Sequence, residues 1–401
     1  MGGASFARLT PATAARLDLM RALVFFLFYW MGLASAFAQW PAPPQIAAKS
    51  YLLVDASAAQ VLAESQADEA VEPASLTKLM TAYVVFDALR AQKIGLQQAL
   101  PIREQAWKTP GSRMFLEVNT QVPVQDLLKG MIVQSANDAA VALAEGVAGS
   151  VEQFVALMNQ QARALGMTQT TYKNPQGLAE PGHVTTARDL ATLAQALLRE
   201  FPDHLGLFAL KKYRYPGTPT ANDTNRNLLL FRDPSVDGLQ TGYTPTAGHG
   251  VVASAQREVP GLKSRRLVAV VLGAAQDQAR AQETQKLLNW GYTAYDAVKL
   301  FDANQALTQV PVWKGRATQL PIGRFEPVVV AVPSGQASQL RSELARPDPL
   351  VAPLGKGQPV ARLKIYVGER LLTEKPLLAL QPVEESGVIG RAWDALRLWI
   401  K

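Results

Sequence analysis

The chain has 401 residues, 48% of them hydrophobic, a formal net charge of +7 and no cysteine. Such a length buries a sizeable core in two or so domains. The absence of thiols excludes disulfides, cysteine nucleophiles and cysteine-ligated zinc. The only histidines, His183, His204 and His249, show no metal-ligand spacing. They are read as surface or loop residues, and no metal or cofactor is expected.

Residues 1–38 read as an export signal. Arg16 and Arg21 precede the apolar run of residues 22–33, and Ala36-Phe37-Ala38 supplies the small residues of a cleavage site before Gln39. The run is short for a membrane span, which needs about 20 apolar residues. Met20 offers a second start for the same signal. The pI is near 9.5. For an exported chain that balance points to anionic lipid or wall polymer, and not to nucleic acid.

A Pro- and Ala-rich linker, residues 39–48, leads into a strand at 50–54, a turn at Asp55-Ala56-Ser57 and a second strand at 60–63. Pro73 stands ahead of Leu76, Leu79, Met80, Tyr83, Val84 and Phe86, whose spacing predicts a helix to about Gln92, closed by Gly95. Another helical stretch begins at residues 126–131. Asn137 or Asp138 can cap the Ala-rich run that follows. Ser150 with Gln153 suits a capping box for a helix ending at Gly166, and Thr186 with Asp189 opens one over 187–199. Residues 250–255 and 266–272 read as a hairpin around Pro260-Gly261, and 282–301 return to helical spacing. With strands at both ends of residues 49–301 and helices between, a sheet joined from both ends and covered by those helices is expected.

Residues 302–385 are dotted with proline and carry short β-type runs, so a separate all-β domain is expected there. In residues 386–401, Ile389, Ala392, Trp393, Leu396, Trp399 and Ile400 fall on one helical arc, opposite Arg391, Asp394, Arg397 and Lys401; Leu398 alone breaks the division. Such a helix either packs on its own domain or lies on a membrane surface. Its two tryptophans and net positive charge favour the membrane.

Ser75-Leu76-Thr77-Lys78 is the one SxxK in the chain, and it opens the first expected helix. On a helix, i and i+3 share a face, so Lys78 can lie beside the Ser75 hydroxyl. A serine needs a base to become a nucleophile, and a lysine is a base only when desolvation or nearby positive charge lowers its pKa. Apolar Leu76, Leu79 and Met80 favour desolvation. Taken alone, a tetrapeptide of such common residues is weak evidence. Two partners strengthen it: Ser135-Ala136-Asn137, and Gln240-Thr241-Gly242 on an expected sheet edge where an extended peptide can add as a strand.

In this order the three motifs resemble the SxxK, SxN and KTG of penicillin-binding proteins and serine β-lactamases, with Gln240 in place of lysine. From Lys49 to Tyr292 the chain resembles the D-alanyl-D-alanine carboxypeptidases, the low-molecular-mass penicillin-binding proteins of peptidase family S11. The likeness rests also on Ser50 to Asp55, Glu72-Pro73-Ala74, Met80-Thr81-Ala82, Gly130-Met131 through Ala139-Ala140, Asn174-Pro175 with Gly177-Leu178, and Val236-Asp237-Gly238.

The resemblance implies an α+β fold of the serine β-lactamase/penicillin-binding-protein type, with a β-rich domain and an amphipathic tail behind it. It implies Ser75 as acylated nucleophile, Lys78 as general base, and Ser135 and Asn137 as the second catalytic element. Backbone N–H groups of Ser75 and Tyr243 would form the oxyanion hole. Thr241, Gly242 and Gln240 would hold the substrate, with Arg280 compensating for the missing lysine. The implied partners are the peptidoglycan stem peptide, β-lactams that acylate the same serine, and the membrane surface under the tail. The implied location is the periplasm, at the outer face of the inner membrane.

A neutral hydrogen bond from Gln240 is worth about 1 kcal/mol less than a charged one, a five- to tenfold loss. It also leaves Lys78 more often protonated. The expectation is a slower carboxypeptidase with a more alkaline optimum. The alternatives are a non-catalytic wall-binding or regulatory protein of the same fold, a DD-endopeptidase, or a β-lactamase. No segment plainly supplies the deacylating glutamate of the class A β-lactamases.

Overall fold

The structure, a computed structural model, describes residues 40–400. The export signal read in residues 1–38 lies outside the described residues. Chain order begins with β1 (Ser50–Asp55) and β2 (Gln60–Ser65), then a 3-10 turn (Ala74–Thr77) running into α1 (Lys78–Arg90). Next come β3 (Ala99–Pro101), α2 (Glu104–Lys108), β4 (Gln121–Pro123), α3 (Val124–Val133), α4 (Asn137–Ala148), α5 (Val151–Ala164) and α6 (Ala187–Glu200). After α7 (Leu229–Arg232) follow β5 (Val236–Thr244), β6 (Gly248–Val259), β7 (Leu262–Ala274) and α8 (Asp277–Ala294). The remainder comprises β8 (Tyr295–Phe301), β9 (Ala306–Pro311), β10 (Gln319–Gly323), β11 (Val328–Pro333), β12 (Leu340–Ala345), β13 (Pro359–Val367), β14 (Arg370–Ala379) and α9 (Val388–Ile400).

The first sheet has the order β2-β1-β7-β6-β5, so the two ends of the segment do meet, through antiparallel pairing of β1 with β7. Alternation along the strands explains its two covers. Leu52, Val54, Val268 and Val270 join the core shared with α1, α3, α4, α5 and α6. Leu53 and Leu267 instead meet α8 at Gly291. β5 is an edge strand, as expected of the segment carrying Thr241 and Gly242.

The caps at Ser150 and Thr186 form as read, each hydroxyl accepting from the amide three residues on. Three other readings change. The SxxK does not start an α-helix: Ala74 takes a positive φ of 49°, and Ser75 lies in the tight turn before α1. α1 ends at Arg90 with Ala91 as its C-cap, so Gly95 does not close it. Residues 295–301, read as helical, form β8, where buried Tyr295 and Ala297 alternate with half-buried Asp296 and Val298 and the strand pairs with β11.

β8 pairs with β11, while β12-β13-β14-β10-β9 form a second five-stranded sheet around a separate apolar core. Polar links join the two layers. The Gln60 side chain binds both the N–H (2.8 Å) and the C=O (3.3 Å) of Ala331, and Lys375 Nζ donates to Ala58 O at 2.8 Å. Behind β1, Arg265 Nε donates to Asp55 Oδ2 at 2.8 Å and Nη1 to Tyr295 O at 2.6 Å, with both side chains buried. Asp55 Oδ1 also accepts from the amides of Ser57 and Ala58. Removing one member of a buried ion pair strands the other's charge, at about 3–5 kcal/mol. Arg265→Met is therefore expected to destabilise the protein by that amount in urea unfolding, and by more than Arg188→Met, which breaks an exposed pair.

Candidate active site

Three segments far apart in sequence converge on the Lys78 amine. Lys78 is 1% exposed, and its Nζ donates to Ser75 Oγ at 3.1 Å, Asn137 Oδ1 at 2.7 Å and Gln176 O at 2.6 Å. Burial lowers its pKa to about 7, while the carboxylate of Asp138 acts in the opposite direction. Desolvation, not a neighbouring cation, therefore brings this lysine into the range of a general base.

Each partner is held in turn. The N-cap of α4 is Ala136, not Asn137 or Asp138; Asn137 begins the helix and spends its side chain on the site. Its Nδ2 donates to Pro110 O at 2.7 Å, which orients Oδ1 toward Lys78. Asp138, 1% exposed, accepts from the amides of Met114 (3.0 Å), Leu116 (3.2 Å) and Ala139 (2.9 Å). Its pKa is raised by burial, with those amides opposing. Ser135 takes a positive φ of 57°, and its buried Oγ has no hydrogen-bond partner, so it is available to a ligand.

The Ser75 turn is clamped between two glycines. A Cβ on Gly177 would sit 1.9 Å from Ala74 O, at a φ of +90° that side chains rarely adopt. A Cβ on Gly242 would lie 3.1 Å from Pro73 O and 3.2 Å from Leu76 N. β5 thus presses closely on the turn that carries Ser75. Behind it, Thr77 Oγ1 and His183 Nε2 lie 2.9 Å apart. His183 lies in a loop, one of the two settings read for it, but is buried there, and that burial lowers its pKa to about 4.

An open cleft of about 370 Å³ is lined by Ser75, Ser112, Ser135, Thr241, Gly242 and Tyr243, and on its far side by Arg226, His249, Asp277 and Arg280. Gln240 is buried, and its Oε1 accepts from the Thr241 amide at 3.0 Å. Tyr243 is exposed and packs in a tilted ring contact against His249, with ring centroids 4.3 Å apart. Arg280 is 4% exposed and donates to Asp277, Gly250 O and Arg226 O; burial lowers its pKa. Its charge is partly committed to Asp277, which limits how far it replaces a lysine at 240. A larger cleft of about 680 Å³ beside Arg90 and His204 holds none of the motif residues.

The structure brings Ser75, Lys78, Ser135, Asn137, Thr241, Gly242, Tyr243 and Arg280 together, whereas the Gln240 side chain, read as substrate-binding, is buried beside them and does not line the cleft. To these the structure adds Gln176, Asp138, Ser112, Arg226 and His249. Gln176 acts through a backbone carbonyl, which no side-chain motif reveals. Arg226 stands in no recognisable triad, although its place before Asn227 and the apolar residues of α7 was open to inspection.

Profile comparison matches residues 37–276 to the D-alanyl-D-alanine carboxypeptidase family, peptidase S11, and residues 295–385 to the C-terminal domain of penicillin-binding protein 5. The D-alanyl-D-alanine carboxypeptidase DacC of Escherichia coli is 40% identical over 377 residues, covering 92% of each chain. Penicillin-binding protein 5 of Haemophilus influenzae superposes with a TM-score of 0.80 at 34% identity, over 86% of this chain and 100% of that one. Penicillin-binding protein D2 of Listeria monocytogenes, solved in an ampicillin-bound form, has a TM-score of 0.56 at 28% identity, over 63% and 100%.

The contact of Gly177 with Ala74 predicts that Gly177→Ala combines a left-handed backbone penalty with overpacking. The expected loss is about 2–5 kcal/mol, measurable as a lowered urea midpoint.

Proposed function

Because the chain belongs to the D-alanyl-D-alanine carboxypeptidase family, peptidase S11, we propose that Ser75 is the residue acylated as a peptidoglycan pentapeptide stem loses its terminal D-alanine. The observation that carries this reading is the buried Lys78 amine on Ser75 Oγ. Neutral Lys78 takes the Ser75 proton as Oγ attacks the penultimate carbonyl. The N–H groups of Ser75 and Tyr243 receive the developing oxyanion. Ser135 passes a proton to the departing amine, and Asn137 holds Lys78 in place. Water then releases the acyl group from Ser75. Thr241 and Gly242 offer the β5 edge to the extended stem, while Arg280 and Arg226 supply positive charge for its terminal carboxylate. The ampicillin-bound relative supports acylation of the same serine by penicillins.

Gln240 sets the level of activity. Introducing a positive charge there by Gln240→Lys is expected to raise kcat/KM for D-alanine release five- to tenfold. It should also move the acid limb, which begins near pH 7 with Lys78, to lower pH, because added positive charge disfavours the ammonium. Ser75→Ala should abolish both D-alanine release and labelling by a fluorescent penicillin. An unchanged rate and profile in the Gln240 variant would sink this account of position 240.

The reading extends to location. Residues 1–38 are removed on export, and α9 fixes the mature protein to the outer face of the inner membrane. No helix among the described residues is by itself long and apolar enough to cross a membrane. In α9 the polar side faces the protein: Asp394 accepts from the Lys314 amide at 2.7 Å, Arg391 pairs with Glu385, and Arg397 lies over the Trp313 ring. Ile389, Trp393 and Trp399 are 88%, 59% and 85% exposed, which is the arrangement of an interfacial helix. Burying one such side chain is worth about 1.5–3 kcal/mol. Trp393→Glu with Trp399→Glu should therefore weaken binding to anionic vesicles at least tenfold in co-sedimentation, with D-alanine release from soluble pentapeptide retained.

A further inference from the structure

Asp138 is a buried carboxylate in no ion pair among the described residues. Three backbone amides aim at it and oppose the burial that raises its pKa. Two of those amides belong to the loop of residues 110–116, which reaches the cleft at Ser112. The same loop is tied down by Asn137 N donating to Ser112 O at 2.7 Å, by Asn137 Nδ2 on Pro110 O, and by Thr218 Oγ1 donating to Met114 O at 2.8 Å. Asp138 therefore occupies the point where the loop, α4 and the lysine-binding Asn137 are joined. It touches neither Ser75 nor the cleft.

We infer that Asp138 is a positioning residue for acyl transfer: it clamps the 110–116 loop and provides the buried negative charge that balances the ammonium Lys78 becomes. In the acylating step the Ser75 proton moves to Lys78 Nζ as the Oγ–carbonyl bond forms. When the tetrahedral adduct collapses, the C–N bond breaks and the departing amine takes a proton. Between these events Lys78 carries a full charge on a buried side chain, and such a charge needs a counter-charge or dipoles nearby.

The elements around Lys78 supply few other charges. Gln176 presents a carbonyl, Asn137 an amide and Ser75 a hydroxyl, while Gln240 on β5 is neutral. Arg226, Arg280, Asp277 and His249 line the cleft on the β6 and α8 side. The Asp138 charge acts on Lys78 in the direction that favours the protonated amine. It thus makes the resting base harder to neutralise and the working acid easier to form.

This inference rests on Ser75 as the acylated residue, so wild type is measured alongside the variants. The experiment is the pH profile of kcat/KM for D-alanine release from a pentapeptide ending in D-Ala-D-Ala, for wild type, Asp138→Asn, Asp138→Ser and Thr218→Val. Both Asp138 variants remove the charge, and the serine variant leaves room for water if the amide donors reject asparagine. Expected is an acid limb displaced by about half a pH unit or more to lower pH, with at least a tenfold loss at the plateau. Thr218→Val loosens the same loop without altering charge, and should lower the rate with the limb in place. An unmoved limb in a folded Asp138 variant, or the same displacement in Thr218→Val, overturns the inference alone. No release by wild type overturns the assignment of Ser75 and the inference with it.

Discussion

A lysine amine with 1% exposure is an unusual thing for a folded chain to tolerate, and much of this molecule is arranged around that one group. Its three acceptors come from the 3-10 turn, from the start of α4 and from the loop after Tyr172, so it acts as a knot among segments about 60 and 100 residues apart. The cost of removing the amine from water lowers its proton affinity, and that lowered affinity is what serine activation needs. Stability and chemistry are opposed here: a better-solvated Lys78 would hold its proton more firmly and serve less well as a base.

The surrounding fold is a set of devices for keeping that group dry and aimed. Alternating residues on β1 and β7 let one sheet support helices on both faces, and the helical core places α1 and α4 side by side. Gly177 allows backbone to approach the Ser75 turn more closely than any side chain permits, and Gly242 lets β5 lie in tight contact with the same turn. Asp138 serves the same end without entering the cleft. The C-terminal strands are joined to the first sheet through the Gln60 contact with Ala331 on β11, the Lys375 contact from β14 and the Arg265 contact with the Tyr295 carbonyl on β8.

Much of this was legible in the amino-acid sequence, for specific reasons. Caps such as Ser150 and Thr186 are local devices whose partners lie three residues away, so spacing reveals them. The triads were legible as a constellation because each brings a distinct functional group. Two kinds of feature were not legible. Backbone contributors such as Gln176 O leave no side-chain signature, and the buried state of His183 depends on the Thr77 contact across more than 100 residues. The strand at 295–301 was hidden because its alternation follows a helix without a turn signal between, and its partner β11 lies further along the chain. The 3-10 geometry at Ser75 reflects pressure from Gly177 and β5, which periodicity cannot express.

The edge position of β5 has one consequence for how ligands can be evaded. A ligand pairing along that strand would meet two layers, a main chain with one side unpaired in the sheet and the side chains mounted on it. Substitution changes the second layer freely. It has little purchase on the first, since every residue except proline carries the same N–H and C=O. An inhibitor that draws its affinity from pairing with the β5 backbone therefore meets a target that resistance cannot readily rewrite.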